Sequence, residues 1–290
     1  MTSAGAIVGL AAAIVAVAGG AIAVYRGAVE LYRRTVGSRR ALARQLYQLA
    51  AGVTIRWVED RLGAPAFSRE FAALPNVREL VYHTRHAWIQ VLADEHDAVM
   101  RFSITVIDPR FWFQVRDLTN YQLAARLGRT SFAAVDAQVG PQGRSFRIGA
   151  HNYEYAEAYW FGNPGGYQWY VLSRNDASSA GTMHWPTGDH ALLSFQEGVL
   201  LSDDEGGPSS SPQLDELSVF RARTTINTLT VLGPWRAHGD RLLGRTSLAE
   251  PRGPDSNQVR VLVPDARERR KRRRMVQKLS RKIERDMKRG

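Results

Sequence analysis

The chain of 290 residues is long enough for one large domain or two small ones, and 44% hydrophobic residues suffice for a core. It has no cysteine, which excludes disulfide frameworks and thiolate metal sites. Its net charge of +11 is concentrated in two short segments, with six basic and one acidic group in residues 26–44 and thirteen basic and four acidic groups in residues 265–290. Residues 45–264 carry 20 basic and 23 acidic groups, so the globular part is mildly acidic.

The N-terminal segment is predicted to anchor the chain in a membrane. Residues 4–24 are 21 consecutive residues without a charged or polar side chain, and as a helix they would span about 31 Å, close to the ~30 Å hydrocarbon core of a bilayer. We expect a transmembrane helix over residues 4–25. Basic residues follow this run and none precedes it, which favours a retained helix with the C-terminal side in the cytoplasm of a cell membrane. Cleavage as a signal peptide after Ala21-Ile22-Ala23 is the alternative.

Small residues recur along one side of this expected helix. Gly5 and Gly9 form a G-x-x-x-G motif, a pattern that lets two membrane helices approach closely. It predicts helix packing and a homodimer through the membrane segment. The alternative is a chance match in a segment rich in alanine and glycine.

Residues 26–61 have leucines and other apolar residues at helical spacing, which predicts a basic juxtamembrane helix. Gly63 and Pro65 end it, because glycine caps helices and proline cannot continue one. The soluble domain is assigned to residues 62–262. Its expected fold class is α+β, with antiparallel strand meanders packed against helices.

The expected strands lie between turn signals. Residues 79–92 and 98–107 make one predicted hairpin, and residues 152–161 and 167–173 make another, which turns at a run of glycine, asparagine and proline. Residues 121–127 suggest a short helix, 191–201 a strand or a short buried segment, and 219–232 a further strand in a central or edge position. Residues 202–213 are expected to be a disordered loop.

A weak internal repeat suggests two related units in the domain. The two similar motifs, which we call words, are LGAPAF at residues 62–67 and LGRTSF at residues 127–132. Each precedes a polar loop and a predicted strand pair. A third match, LGRTS at residues 243–247, is not followed by strands.

Residues 155–170, YAEAYWFGNPGGYQWY, resemble an uncharacterised family of bacterial proteins that join one N-terminal membrane helix to a soluble domain of unknown function. Leu62-Gly63-x-Pro65 and Ile226-Asn227-Thr228 are similar to positions of that family. The resemblance implies membrane anchoring and no assigned activity. More distantly, the Leu-Gly-x-Pro turn resembles that of the small lipoproteins that assist outer-membrane assembly, a likeness too short to carry function.

The second predicted hairpin provides the candidate binding residues of the domain. Its rings could bind a peptide, an exposed strand or a ring-shaped ligand, or they could simply pair across the strands and stabilise the sheet. The candidate ligand- or partner-binding residues are Tyr153, Tyr155, Tyr159, Phe161, Tyr167 and Trp169.

No pattern indicates a catalytic site, a metal or a cofactor. His83 and His86 fall on opposite faces of a predicted strand, which is poor geometry for a shared metal, and the same holds for His151, Glu154 and Glu157. Nucleophile-elbow, phosphate-loop, dinucleotide and zinc-protease motifs are absent from the sequence. An enzyme is the less favoured class.

The basic tail, residues 263–290, is predicted to contact anionic lipid. Apolar residues recur every three or four positions among arginine and lysine, which describes a basic amphipathic helix, although a disordered tail fits the same composition. Nucleic acid, an acidic protein and mere solubilisation are the alternatives, and the tail has no aromatic residue to stack on bases. The expected lipid- or phosphate-contacting residues are Arg269, Arg270, Lys271, Arg272, Arg273, Arg274, Lys278, Arg281 and Lys282.

The sequence as a whole predicts a single-pass membrane-anchored binding or scaffold protein. A membrane-anchored enzyme, and nucleic-acid binding by the tail, are the alternatives.

Overall fold

A computed structural model gives the fold. It describes residues 37–71, 76–137, 140–148, 153–161, 168–175, 200–201, 211–233 and residue 253. The expected transmembrane helix over residues 4–25 and the basic tail over 263–290 lie outside these ranges. Within them, no helix is long and apolar enough to cross a membrane. The chain divides into two units, residues 1–48 and 49–290, and the described part of the first is helix α1 (Ser38–Leu46) with a few residues on either side.

The second unit is built on a large antiparallel sheet, as the α+β prediction requires. Its described strands are β1 (Phe67–Glu70), β2 (Arg78–His83), β3 (Ala87–Ala93), β4 (Val99–Val106), β5 (Leu123–Ala124), β6 (Asp136–Ala137), β7 (Gly143–Ile148), β8 (Tyr153–Phe161), β9 (Gln168–Asn175), β10 (Leu200–Leu201) and β11 (Thr228–Leu232). β5 and β6 pair with each other, and the other nine strands form one sheet in the order β1-β2-β3-β4-β11-β9-β8-β7-β10.

Two meanders meet at the last strand of this sheet. β1 to β4 follow one another as neighbours, and so do β7 to β9, while β11 pairs with β4 on one side and β9 on the other. Thr228 of β11 is opposite both Thr105 and Ser173, which fixes the register of the two halves. β11 therefore occupies the central position that was one of two options from the sequence.

Two helices accompany the sheet among the described residues of this unit. Helix α2 (Ile55–Leu62) begins at Thr54, whose hydroxyl accepts from the backbone N–H of Trp57 at 3.3 Å, and ends at Gly63 with φ of 81°. Helix α3 (Ser211–Arg223) precedes β11. The single helix predicted over residues 26–61 is wrong over its described part, because residues 47–54 leave helical geometry between α1 and α2.

Four other boundaries differ from the expectation. Residues 219–223 belong to α3 and not to a strand, residues 79–92 break into β2 and β3 at a turn, and residues 121–127 contain β5 instead of a helix. Ser211, expected at the end of a disordered loop, begins α3, while residues 202–210 lie outside the described ranges. The β3–β4 and β8–β9 hairpins are confirmed.

The predicted internal repeat has a backbone counterpart. Gly63 and Gly128, the second residues of the two words, have φ of 81° and 74°, a region that glycine reaches without strain. Each word precedes one of the two meanders in the chain.

Candidate functional site

The two faces of the sheet at the β8–β9 hairpin have different surroundings. Side chains alternate along a strand, so Tyr155, Glu157 and Tyr159 of β8 share the face against which α3 packs. Trp160 and Trp169 lie directly opposite each other on the other face, with ring centroids 4.5 Å apart.

The candidate aromatic residues therefore divide between two environments. Tyr155 and Tyr159 are buried, and Phe161 and Trp169 are half-buried. This burial favours cross-strand packing, the alternative to ligand binding, for the first two. Tyr167 and the side chain of Tyr153 lie outside what the structure describes.

A buried carboxylate organises the face beneath α3. Glu157 is fully buried and accepts hydrogen bonds from the hydroxyls of Tyr155 and Tyr159 at 2.7 and 2.8 Å. Arg221 of α3 donates from Nε and Nη2 to its two oxygens at 2.5 and 3.3 Å, and Arg144 Nε lies 3.7 Å from it. The cluster ties α3 to β8 and β7, and we call these five residues the glutamate cluster.

The glutamate cluster perturbs the groups around it. Burial, and then the charge of Glu157, raise the pKa of Tyr155 well above its ordinary value, and the pKa of Tyr159 is raised for the same reasons. Burial opposes the charge of Arg221, but the hydrogen bond to Glu157 and its charge outweigh burial, so the pKa of Arg221 lies above its ordinary value. Both tyrosines thus remain neutral donors while the ion pair holds the helix.

A polar row crosses the opposite face. It comprises Glu79 and Gln90, then Ser103 and Thr105, then Thr228 and Thr230, and finally Ser173 and Asn175, all of them buried. Gln90 donates to Glu79 at 2.5 Å, and the hydroxyls of Ser103 and Thr230 bond at 2.8 Å.

The chain returns to this row at Gly253. Its backbone N–H donates to Gln90 Oε1 at 2.9 Å, and its φ is 87°. A Cβ added there would lie 2.5 Å from Thr105 Oγ1 and 2.9 Å from Asn175 Nδ2. Only glycine therefore fits between these side chains.

The segment between β4 and β7 presents a different surface. Phe111, Phe113 and Val115 are fully buried, and Trp112, between the two phenylalanines, is 60% exposed. This two-residue alternation continues on a second short strand: Gln114 bridges Arg126, while Ala125 and Leu127 on either side of Arg126 are buried. Trp112 and Arg126 thus share the outward face of a two-stranded ribbon, and the exposed Arg116 begins the 3-10 helix that follows its first strand (Arg116–Leu118).

An arginine guanidinium lies close to each of two exposed rings in this segment. The guanidinium of Arg126 lies 3.3 Å from the Trp112 ring centroid, and that of Arg116 lies 4.8 Å from the ring of Tyr121, which is 65% exposed. Burial, and then the charge of Arg129, lower the pKa of Arg126 below its ordinary value. We name Trp112, Arg116, Tyr121, Arg126 and Arg129 the arginine–aromatic surface.

The arginine–aromatic surface is held at one end of the sheet. The N–H of Ile107 donates to the carbonyl of His86 at 3.0 Å, and the N–H of Gly128 donates to that of Ile226 at 2.6 Å, just before β11. His86 is buried, bonds Asp108 Oδ2 through Nδ1 at 2.9 Å and stacks on Phe111. The ribbon is therefore a rigid extension of the sheet, with its rings held outward.

Charge differs between the two ends of β4. Throughout the part of the chain that the structure describes, no carboxylate lies within ion-pair distance of Arg116, Arg126 or Arg129. The turn at the other end of β4 contains Asp94, Glu95 and Asp97. Eight residues of extended chain separate the two ends by about 26 Å.

Two of the described histidines, His83 and His86, contact other side chains of the fold. His83 packs against Trp88 with ring centroids 4.2 Å apart, and His86 holds Asp108. Among the described residues there is no group of three histidine, aspartate or glutamate side chains that could hold a metal ion. His151 lies outside the described ranges, and Glu154 and Glu157 point to opposite faces of β8.

Comparisons with known proteins return no relative: no family model, no curated protein and no solved structure matches the chain. The resemblance to an uncharacterised bacterial family stays a prediction.

The sequence reasoning missed the arginine–aromatic surface. In FWFQV, residues 111–115, three consecutive aromatic residues interrupt the apolar–polar alternation, so the sequence does not predict that Trp112 faces outward. The pairing of Trp112 with Arg126 depends on the turn between them, which local patterns do not specify.

Proposed function

We propose that this protein is a single-pass membrane-anchored binding module that holds its α+β domain at the cytoplasmic side of the cell membrane. The uncharged run over residues 4–24 and the arginines that follow it support anchoring and direction. The G-x-x-x-G pair Gly5 and Gly9 is proposed to pack two copies together.

The binding role is supported by a contrast between the buried polar groups, which have partners inside the domain, and the exposed arginines. Inside the domain, Glu157, Glu79 and His86 each bond to named side chains of the same domain. On the outside, Trp112 and Tyr121 are exposed beside arginines that have no carboxylate partner among the described residues. Such a surface fits an anionic partner, because guanidinium groups bind carboxylate and phosphate oxygens through paired N–H donors.

The tail is proposed as a further contact with anionic lipid. The nine basic residues assigned to it, from Arg269 to Lys282, would each contribute about 1 kcal/mol near a charged leaflet. A peptide of residues 263–290 should co-sediment with vesicles containing phosphatidylglycerol at 0.15 M salt, the range where the Debye length is about 8 Å. Sedimentation equal to that with phosphatidylcholine vesicles contradicts the contact.

Anchoring and direction are tested together on the full chain. We expect the protein to stay in the membrane pellet after alkaline carbonate extraction, and a Val15→Arg variant to be released, because an arginine near the centre of the span opposes insertion by about 3 kcal/mol. A C-terminal reporter should be active only in the cytoplasm. Release of the unaltered chain, or a reporter active only outside, contradicts the proposal.

A further inference from the structure

We infer that the arginine–aromatic surface rests in the headgroup layer of an anionic phospholipid bilayer. This inference rests on the proposed function, because an anchored chain keeps the domain within reach of that layer. It goes beyond anchoring by naming which side of the domain meets the lipid.

The side chains of this surface match the chemistry of the headgroup layer. Tryptophan and tyrosine collect at the level of lipid headgroups, where an apolar ring and a polar edge are both satisfied. The guanidinium groups of Arg116 and Arg126 lie 4.8 and 3.3 Å from the ring centroids of Tyr121 and Trp112, and guanidinium N–H groups donate to phosphate oxygens. The rings can therefore lie at the level of the headgroups while the guanidinium groups bind their phosphates.

The charges of the surface favour an anion of this kind. Arg126 stands beside Arg129, with no carboxylate partner for either among the residues that the structure describes. A lipid phosphate would offset both the repulsion between these arginines and the loss of solvent around Arg126. The acidic turn at Asp94 to Asp97 lies about 26 Å away along β4, roughly three Debye lengths, so it does not cancel this field.

Lipid fits this surface better than single-stranded nucleic acid does. Binding successive bases needs rings with open faces, and each of these two rings already has a guanidinium over one face. Binding of single-stranded nucleic acid is therefore the alternative that the experiment below distinguishes from lipid binding.

The absence of cysteine makes a direct measurement simple. A spin label on Asp117→Cys, next to Arg116 and exposed, reports contact at the surface, and a label on Glu95→Cys is its matched control. Both substitutions remove one exposed carboxylate, and they lie at opposite ends of β4. The full chain is placed in nanodiscs of phosphatidylcholine alone or with 30% phosphatidylglycerol, and relaxation by oxygen is compared with relaxation by a water-soluble nickel complex.

The label at residue 117 should show a raised ratio of oxygen to nickel relaxation in the anionic discs and an aqueous ratio in the neutral ones. The label at residue 95 should be aqueous in both. With Arg116→Ala and Arg126→Ala the equilibrium between contact and release should fall about thirtyfold, since each basic residue near an anionic surface contributes about fivefold. Arg126→Lys, which keeps the charge but loses the paired N–H donors, should lose less contact than Arg126→Ala.

An aqueous label at residue 117 in anionic discs overturns the inference and leaves the anchored protein intact as a proposal. Equal contact in neutral discs, or contact unchanged by the alanine variants, also overturns it. Immobilisation of the same label by a 12-nucleotide uridylate RNA in neutral discs assigns the surface to nucleic acid instead. Failure of the chain to enter discs at all, with release by carbonate, refutes the proposed function itself.

Discussion

The interior of the domain and its surface hold their arginines in opposite ways. Arg221 reaches from α3 to a fully buried carboxylate and makes two hydrogen bonds to it. Arg126 lies on a tryptophan ring, next to another arginine, with no carboxylate partner among the described residues. The first arrangement satisfies a charge inside the fold, while the second leaves a charge available to something outside it. The two arginines therefore differ in the partners that the domain provides for them.

The largest effect is expected from breaking the interior arrangement. Glu157→Leu removes the only carboxylate near Arg221 that the structure shows and leaves two partly exposed cations, Arg221 and Arg144, without it, so the free energy of unfolding should fall by up to about 3–5 kcal/mol. Urea denaturation of the full chain in detergent micelles measures this change. The double variant Glu157→Leu with Arg221→Met should recover part of the loss, because Arg144 is then the only cation of the glutamate cluster left without Glu157. A double variant as unstable as the single one would show that the ion pair is not the cause.

The second largest loss of stability is expected at the polar row, where Gly253 contacts the sheet. Gly253→Ala should destabilise the contact with Gln90 by about 1–3 kcal/mol, because φ of 87° strains alanine and its methyl group would overlap Thr105. Tryptic cleavage after Arg252, mapped by mass spectrometry, should then be faster. Gly140→Ala is the matched control, since a Cβ there meets nothing within 4 Å. Equal cleavage rates in the two variants would contradict the close fit.

A third test uses alkaline pH. Burial raises the pKa of Tyr82 and Tyr170 to about 12, and burial together with the charge of Glu157 raises the pKa values of Tyr155 and Tyr159 as well. Between pH 10 and 12 the unfolded chain loses these protons and the folded chain keeps them, so stability falls as the pH rises. The slope is at most about 1.4 kcal/mol per pH unit for each tyrosine.

This slope can be assigned to the glutamate cluster by substitution. The Tyr155→Phe, Tyr159→Phe double variant is less stable at pH 9, since two hydrogen bonds to Glu157 are lost, but its stability should fall less steeply toward pH 11. Denaturation midpoints at pH 9, 10 and 11 provide the comparison. Parallel slopes for the variant and the unaltered chain would exclude these two tyrosines as the source.

The smallest effect on stability is expected at the surface. Arg126→Ala removes one cation–π contact, which contributes about 0.5–1 kcal/mol, and also relieves repulsion from Arg129. Its unfolding free energy should therefore change by less than about 1 kcal/mol, measured under the same conditions as Glu157→Leu. A loss as large as that of Glu157→Leu would remove the distinction between the two kinds of arginine.

The parts of the fold that the sequence predicted are those specified by neighbouring residues. The β3–β4 and β8–β9 hairpins follow from alternation on either side of turn residues, and Gly63 ends α2 as a glycine cap does. The strand predicted over residues 219–232 failed at its start, because FRAR at 220–223 alternates like a strand but packs as the last turn of α3. There Phe220 meets Tyr155 edge-on, a contact between distant residues.

The site depended on contacts that no local pattern contains. Arg221 and Glu157 are 64 positions apart, and Ser103 and Thr230 are 127 apart. The aromatic residues of β8 were named from the sequence, but whether they met solvent or a helix depended on α3. Trp112 lies between two phenylalanines in the sequence, and its arginine lies across a turn.

The position of β11 has a consequence for the order in which the domain is completed. β4 and β9 do not pair with each other in this sheet, and each instead pairs with β11, the last of the described strands along the chain. During synthesis both meanders emerge before the strand that joins them, so each waits with an open edge until residue 232 has left the ribosome. A chain truncated before Thr228 would therefore leave the facing edges of β4 and β9 without a strand to pair with.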